Sequence, residues 1–292
     1  MVIAAVSLIF YLVYTGFYSR GFCWQYFVGG LLIAAVSWLD DLYTVPVIGR
    51  LAVQGFSALL VVSSLVSADN LSAPTANIYE IVTAVFVFLW IVWLTNAYNF
   101  MDGIDGIASL QAVVAGIGWL AAGFVLSAGT AGFYGGVLAF SGLGFLIQNW
   151  QPAKIFMGDV GSAFLGFSFA VLPILAVRET GENFERFFFT AAALVWLFVF
   201  DTIFTFCRRA FKREKVWQPH RSHIYQRLVI AGFPHRKIAG LYGALTFITG
   251  IFAVAALLNT NYNKWLWLAI LLESIILISM LKIFEKPKKS KR

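Results

Sequence analysis

The sequence has 292 residues, of which 60% are hydrophobic, 17% aromatic and only 12% charged, and its mean hydropathy is +0.82. Soluble domains carry about 25% charged residues, so this composition excludes a soluble protein and indicates an integral membrane protein. The net charge of +7 lies mainly in one loop and a tail beside apolar segments, where anionic lipid headgroups explain it. We therefore expect no nucleic-acid partner.

Apolar segments of about 20 residues, long enough as helices to cross a bilayer, recur along the whole chain. They predict an all-α fold, a polytopic helical bundle of about ten spans that forms a single domain over residues 1–292. The predicted spans are residues 2–19, 22–39, 51–68, 78–97, 107–127, 131–149, 160–178, 187–206, 238–258 and 265–284.

The distribution of lysine and arginine predicts the orientation, because cytoplasmic loops retain positive charge. With the N-terminus inside, 17 of the 21 basic residues fall in inner segments, chiefly in a loop at 207–237 and a tail at 285–292. The outer segments contain only Arg20, Arg178, Arg186 and Lys264. This orientation places the polar motifs described next on the cytoplasmic side.

The first motif is the pair Asp40 and Asp41, which ends the second predicted helix. Adjacent carboxylates raise the proton affinity of one of them unless a cation neutralises the pair, and the dipole at a helix C-terminus disfavours acids. The pair therefore favours metal binding or proton abstraction, with a solvated helix end as the alternative.

The second motif, NAYNFMDGIDG at residues 96–106, is the most specific. Its glycines permit close approach of a ligand to the backbone, and Asp102 and Asp105 share one face if the segment is helical. A plain glycine-rich turn between helices does not need two asparagines and two aspartates at membrane depth.

The third motif, KIFMGDVGS at residues 154–162, places Asp159 just before a predicted helix. The free N–H groups at a helix N-terminus favour anions. Asp159 with its neighbouring glycines indicates a metal or phosphate site, whereas a simple N-cap is the alternative.

The fourth motif, HRSH at residues 220–223, lies in the long basic loop. Arginine forms bidentate contacts with phosphate, and histidine donates or transfers protons near neutral pH. Together, the four motifs describe a site for a metal-bound diphosphate, and they indicate phosphoryl transfer at the membrane.

In this order, over residues 30–245, the motifs resemble those of the polyprenyl-phosphate N-acetylhexosamine-1-phosphate transferases, bacterial enzymes of the glycosyltransferase family 4 type. The resemblance implies that undecaprenyl phosphate attacks the β-phosphorus of a UDP-N-acetylaminosugar, giving undecaprenyl-diphosphate-sugar and UMP. It implies Mg²⁺ as cofactor, with Mn²⁺ as a substitute, and a multi-pass enzyme of the bacterial inner membrane. The sequence around His220 is more similar to enzymes that begin O-antigen or related glycans than to the peptidoglycan branch.

The resemblance also implies roles for individual residues. Asn99 and Asp159 match metal-linked positions, Asp40 and Asp41 match the pair that orients or deprotonates the lipid phosphate, and Asp102 belongs to the same catalytic cluster. The substrate-binding positions are Asp105 for the uracil nucleotide, His220, Arg221 and His223 for the sugar diphosphate, and Lys154.

The sequence departs from the family in one respect, because Met1 runs directly into apolar sequence. Family members usually have a further span and an inner loop rich in Pro, Arg and Gly before this helix. The expectation is that the chain starts downstream of the family's usual start or is a shortened form.

The main alternative is a cation-coupled transporter, which would place acids at mid-membrane in broken helices. Only Asp201 and Glu273 lie well inside predicted spans, and two acids are too few to indicate an ion relay. We expect Asp201 to snorkel or to support the site.

The glycines from Gly132 to Gly144 allow either close packing within the chain or a homodimer interface.

Overall fold

The computed structural model describes residue 14 and residues 20–65, 78–181, 184–215 and 220–284. These residues form helices and connecting turns, with no strand among them, which confirms the all-α prediction. The helices are α1 (Arg20–Tyr43), α2 (Val47–Val62), α3 (Ile78–Met101), α4 (Ile107–Leu126), α5 (Gly129–Asn149), α6 (Gly158–Thr180), α7 (Phe184–Leu194), α8 (Trp196–Phe211), α9 (Ile224–Ile230), α10 (His235–Leu258) and α11 (Asn263–Phe284), with a 3₁₀ turn at Thr260–Tyr262.

Seven described helices are long and apolar enough to cross a membrane, and the count becomes eight if the bent pair α7 and α8 is one span. Helix α2, in the third predicted span, has only 16 residues, or about 24 Å at 1.5 Å per residue, which is short for a bilayer core. Apart from residue 14, the first predicted span lies outside the described residues, as does the basic tail at 285–292. Within the described part of the chain, the structure therefore shows a polytopic bundle of seven or eight candidate spans.

Helix α6 forms the centre of the bundle. Every residue from Gly161 to Ala176 is buried, as expected for a helix that is apolar on all sides. It packs against α1, α3, α5 and α7, and a side chain at Gly166 would meet the carbonyl of Leu94 in α3 at 2.6 Å. The N-terminus of α6, which carries Asp159, is therefore surrounded by the ends of other helices.

Helices α4 and α5 pack closely against each other. A Cβ atom at Gly116 would lie 2.5 Å from the carbonyl oxygen of Gly135, and Gly123 faces the backbone of Gly132 in the same way. The glycines of α5 thus serve close packing within the chain, one of the two uses that the sequence left open. Gly144, which has nothing within 4 Å of its Cβ position, takes no part in this contact.

The predicted span at 187–206 is broken at Val195, where α7 and α8 meet at a bend of 77°. A break inside a bilayer frees backbone groups that other parts of the protein must satisfy. Here the side chain of the buried Gln111 donates to the Leu194 carbonyl at 2.7 Å and accepts from Thr246 at 3.0 Å. The break therefore links α4, α7 and α10, and it sets the direction in which α8 carries Asp201.

Polar contacts at the end of the bundle away from the motifs agree with the predicted distribution of charge. Arg178 donates to the carbonyl of Ser64, and Arg186 donates to the carbonyl of Leu257. Glu179 accepts the backbone N–H of Thr130. These contacts lie at the opposite end of α6 from Asp159, so two of the four basic residues that the sequence predicts to be outer lie far from the motifs.

Candidate active site

Three helix ends bring five of the predicted site residues together. Asp40 and Asp41 end α1, Asn99 and Asp102 lie at the C-terminal end of α3, and Asp159 opens α6. Electrostatic interactions link Asp159 with Asp41, Asp40 and Asp102. Residues more than a hundred positions apart in sequence thus form one acidic cluster, as the motifs indicated.

Arg50 at the start of α2 balances part of this negative charge. Its Nη1 lies 2.5 Å from Oδ2 of Asp40 and 3.3 Å from Oδ2 of Asp159. The other oxygen of Asp40 accepts the backbone N–H of Val45 at 2.7 Å. Asp40 is therefore fixed in orientation, with its side chain only 11% exposed.

Asp41, in contrast, is exposed and approaches α6 from the solvent side. Its Oδ1 accepts the backbone N–H of Asp159 at 3.3 Å. Gly158 has a φ of +64°, and a Cβ atom there would lie 2.9 Å from Oδ2 of Asp41. A residue without a side chain is thus required at 158, both for the left-handed backbone and for the carboxylate beside it.

Asn99 completes the cluster. Its Oδ1 accepts a hydrogen bond from Ser162 at 2.7 Å, and its side chain also hydrogen-bonds Asp159. Carboxylate and amide oxygens are the donors that Mg²⁺ prefers, so the chemistry of Asn99, Asp41 and Asp159 fits this ion. No group of three His, Cys, Asp or Glu residues within the described part of the chain is already arranged as a metal site.

Asp102 lies just beyond the last turn of α3, outside the spans. Desolvation, followed by the negative charge of Asp159, raises the pKa of Asp102 to about 8. A carboxyl group with such a pKa is protonated at neutral pH until a cation enters or the proton is transferred.

Asp105 belongs to a separate group on the other side of the same turn. Nδ1 of His235, at the start of α10, lies 3.4 Å from Oδ1 of Asp105 and 3.3 Å from its backbone N. Oδ2 of Asp105 accepts the N–H of Ala153 at 3.3 Å. Asp105 therefore connects α10 to the loop before α6. Lys154, also a predicted substrate-binding residue, is exposed in that loop.

The loop at 207–237, the His/Arg loop, has an exposed part and a buried part in its HRSH segment. Arg221 is exposed and His220 is partly exposed, with Nδ1 of His220 lying 2.9 Å from the Ser222 hydroxyl. Burial, followed by the nearby His223 and Arg209, lowers the pKa of His220 to about 4, so its imidazole is neutral at pH 7. His223 is buried with a side chain 5% exposed, so its ring packs inside the fold. Residues 216–219 of the loop lie outside the described part of the chain.

The sequence predicts only a supporting part for Asp201, yet the structure places it at the centre of the contacts made by the loop. Its carboxylate is fully buried in α8 and accepts a hydrogen bond from Nδ1 of His223 at 3.1 Å. An ionisable residue within an apolar run is a functional signal in itself. That signal was present, but its partner, 22 residues further on, could not be identified before the fold was known.

Comparison with known proteins supports the same family. The model of glycosyl transferase family 4 matches residues 23–177. A probable undecaprenyl-phosphate N-acetylglucosaminyl 1-phosphate transferase of Bacillus subtilis is 32% identical over 259 residues, covering 87% of this chain and 70% of that protein.

Two other relatives have related names. A decaprenyl-phosphate N-acetylglucosaminephosphotransferase of Mycobacterium tuberculosis is 26% identical, covering 88% of this chain and 70% of that protein. A phospho-N-acetylmuramoyl-pentapeptide-transferase of Staphylococcus carnosus is 30% identical, covering 62% of this chain and 53% of that protein, about half its length. With its polytopic bundle and its clustered motifs, the chain belongs to glycosyl transferase family 4 and is a membrane phosphotransferase.

Proposed function

We propose that this enzyme transfers an N-acetylaminosugar 1-phosphate from a UDP-sugar to undecaprenyl phosphate. The observation that carries the proposal is the convergence of Asp40, Asp41, Asn99, Asp102 and Asp159 at one end of a membrane bundle. The names of the relatives supply the substrate class, and two of the three are named for N-acetylglucosamine. UDP-N-acetylglucosamine is therefore the first donor to test.

In the proposed reaction, an oxygen of the lipid phosphate forms a bond to the β-phosphorus of the UDP-sugar. The bond between that phosphorus and the bridging oxygen breaks, and the bridging oxygen leaves with UMP. Asp41 is the exposed carboxylate of the pair, so it faces the entering lipid phosphate. Asp40 keeps Arg50 in place beside Asp159, where the guanidinium is available to a phosphate oxygen.

Asn99, Asp159 and Asp41 would hold a Mg²⁺ ion, since their oxygens suit it and family members generally need a divalent cation. Bound there, the ion would reduce the negative charge on the diphosphate oxygens. Asp102 would hold or release a proton at the edge of this cluster. His220 and Arg221 would bind the sugar diphosphate, with Lys154 and Asp105 at the nucleotide end.

The proposed location is the inner membrane, with the acidic cluster facing the cytoplasm where UDP-sugars are made. Arg208 and Arg209 in the last turn of α8, and Lys212 directly after it, lie at the end of α8 that leads to HRSH, consistent with an inner face. The same proposal extends to the glycan that the product begins. Because the sequence around His220 resembles that of enzymes that begin O-antigen or related glycans, the proposed glycan is O-antigen or another surface polymer.

The test measures UMP released by purified protein in detergent with undecaprenyl phosphate, Mg²⁺ and UDP-N-acetylglucosamine, or another UDP-N-acetyl sugar. The variant is Asp159→Asn. Glu179→Gln is its matched control, because it alters an acid at the other end of the same helix.

UMP release that requires lipid, divalent cation and Asp159, and that survives Glu179→Gln, is the expected result. Cation-dependent counterflow in vesicles without UMP release would instead support the transporter. The buried Asp201 argues against that outcome, because hydrogen bonds from α9 and from α10 occupy both of its oxygens.

A further inference from the structure

Asp201 accepts more hydrogen bonds than any residue named at the acidic cluster. Its side chain is completely buried. The donors are Thr205 Oγ1 at 3.2 Å, His223 Nδ1 at 3.1 Å, Ile224 N at 2.8 Å, Tyr225 N at 3.1 Å and Tyr242 Oη at 2.8 Å. A buried carboxylate is costly unless several donors surround it, and here they come from α8, α9, α10 and the loop.

Two of these donors are backbone N–H groups, which can donate a hydrogen bond but cannot accept one. The backbone N–H groups of Ile224 and Tyr225 belong to the first turn of α9, where helix N–H groups lack partners within the helix. Asp201 supplies acceptors for both from a different helix. The start of α9, and the HRSH segment joined to it, are thereby fixed to α8.

The same carboxylate determines which nitrogen of His223 is available. Because Nδ1 of His223 donates to Asp201, Nε2 is the ring nitrogen left for another partner. His220 lies next to this ring, with the two ring centres 5.1 Å apart. Asp201 therefore fixes the orientation of the His223 ring, and the His220 ring lies against that ring.

Tyr225 extends this arrangement to the acidic cluster. Its hydroxyl donates to the carbonyl of Phe100 at 2.9 Å, in the segment that carries Asn99 and Asp102. Gly103 packs directly against that hydroxyl, and any side chain at 103 would overlap it. Tyr225 thus connects the HRSH segment to the acidic cluster, and Asp201 accepts the backbone N–H of this tyrosine.

We propose that Asp201 is a positioning residue that orients His223 and holds the HRSH segment (residues 220–223) against the segment that carries Asn99 and Asp102, so that this segment can bind the diphosphate of the sugar donor. The inference rests on the proposed function for its substrate, but the orientation of His223 is measurable without any reaction. It predicts an effect on the donor and little effect on the lipid acceptor.

The principal variant is Asp201→Asn. An amide keeps the size of the carboxylate but has one acceptor oxygen, so its NH₂ group must face the N–H of either Ile224 or Tyr225. One backbone donor then loses its partner and the loop shifts. Glu273→Gln is the matched control, because Glu273 is also a buried acid within a span, but its described partner is Thr249 of α10.

Steady-state kinetics with both substrates give the first readout. We expect kcat/KM for the UDP-sugar to fall about 100-fold, mainly through a rise in its KM, which is the scale of a misplacement of about 1 Å. We expect the KM for undecaprenyl phosphate to change by no more than about twofold. A rise in the KM for undecaprenyl phosphate equal to that for the UDP-sugar in Asp201→Asn would overturn the positioning role. A comparable fall in kcat/KM for the UDP-sugar in Glu273→Gln would overturn it as well.

The second readout is ¹⁵N NMR of histidine-labelled protein in detergent, feasible because the chain has only three histidines. Substituting each histidine in turn assigns the signals. In the wild type the proton of His223 should reside on Nδ1, and in Asp201→Asn it should leave that position. An unchanged His223 signal would contradict the proposal.

If Asp201→Asn does not give a monodisperse protein, Tyr242→Phe decides the matter, because it removes one donor and keeps the ring. A smaller rise in the KM for the UDP-sugar, with a shifted His223 signal, is then expected, and no change in either would refute the role. If the wild type releases no UMP, the proposed transfer fails, while the NMR result still decides whether Asp201 orients His223.

Discussion

The carboxyl group of Asp102 links the stability of the protein to pH. Its pKa rises from an ordinary 3.8 to about 8 on folding, because of desolvation first and Asp159 second. Between these two pH values the folded protein retains a proton that the unfolded chain has lost. The free energy of unfolding therefore decreases as pH rises from about 4 to about 8.

Asp102→Asn removes this group's contribution while keeping the shape of the side chain. In EDTA, we expect the variant to gain Tm relative to the wild type at pH 8 by more than it does at pH 5.5, while UMP release is lost. Thermal unfolding followed by intrinsic fluorescence measures the difference. The exposed Glu185 provides the control Glu185→Gln, and an Asp102→Asn effect equal at both pH values would contradict the assignment.

Gly103 provides a second test at the scale of a single residue. In Gly103→Ala, the new methyl group overlaps the Tyr225 hydroxyl, so the hydrogen bond from Tyr225 to Phe100 is lost or lengthened. We expect activity to fall by about 10-fold or more, as for a displaced catalytic loop. Gly240→Ala is the control, because its Cβ position has open space around it. Equal activity in the two variants would show that the Tyr225 contact is unimportant.

The residues of the acidic cluster could be predicted from the sequence, because each ends or begins an apolar run on the side that the basic residues predict to be inner. Membrane insertion alone places such residues at a common level. The pairing of Arg50 with Asp40 and Asp159 could not be predicted in the same way, since it depends on the angle between α1 and α2. The separation of Asp105 from Asp102 could not be predicted either, because it requires the turn at residues 102–106 to direct their side chains apart.

At the scale of elements, the α4–α5 contact depends on the absence of side chains at Gly116 and Gly123. Gly116→Ala would place a methyl group against the backbone of Gly135 and Ala139, which a packed helix pair relieves only by separating. We expect a loss of about 1 to 3 kcal/mol in stability, the usual cost of overpacking. Gly144→Ala on α5 should be neutral, and unfolding in denaturing detergent measures both.

The break between α7 and α8 shows that a hydropathy pattern predicts where a span lies but not where it bends. Residues 187–206 are mostly apolar and contain no glycine or proline, so the sequence predicts one continuous helix there. The bend is stabilised by the amide of Gln111, which is 1% exposed and lies 83 residues before Leu194. A local pattern contains no information about such a distant partner.

At the scale of the whole molecule, the charge distribution predicts which face carries the site. In a variant without native cysteines, Cys23→Ser with Cys207→Ser, we expect Lys264→Cys to react with a membrane-impermeant maleimide in intact spheroplasts. Lys212→Cys should react only after permeabilisation. Both positions are exposed, so reactivity reports on sidedness, and the reverse pattern would invert the topology.

The contacts of α10 also have a consequence for the order of events during synthesis. Thr246, which completes the bonding of Gln111, and Tyr242, which completes that of Asp201, both lie on this helix. The ribosome makes α10 after α4, the bent pair and the HRSH segment. The nascent chain therefore carries two incompletely bonded polar side chains in its earlier helices until residue 246 has left the exit tunnel. A translational pause before that point would expose this intermediate to membrane proteases.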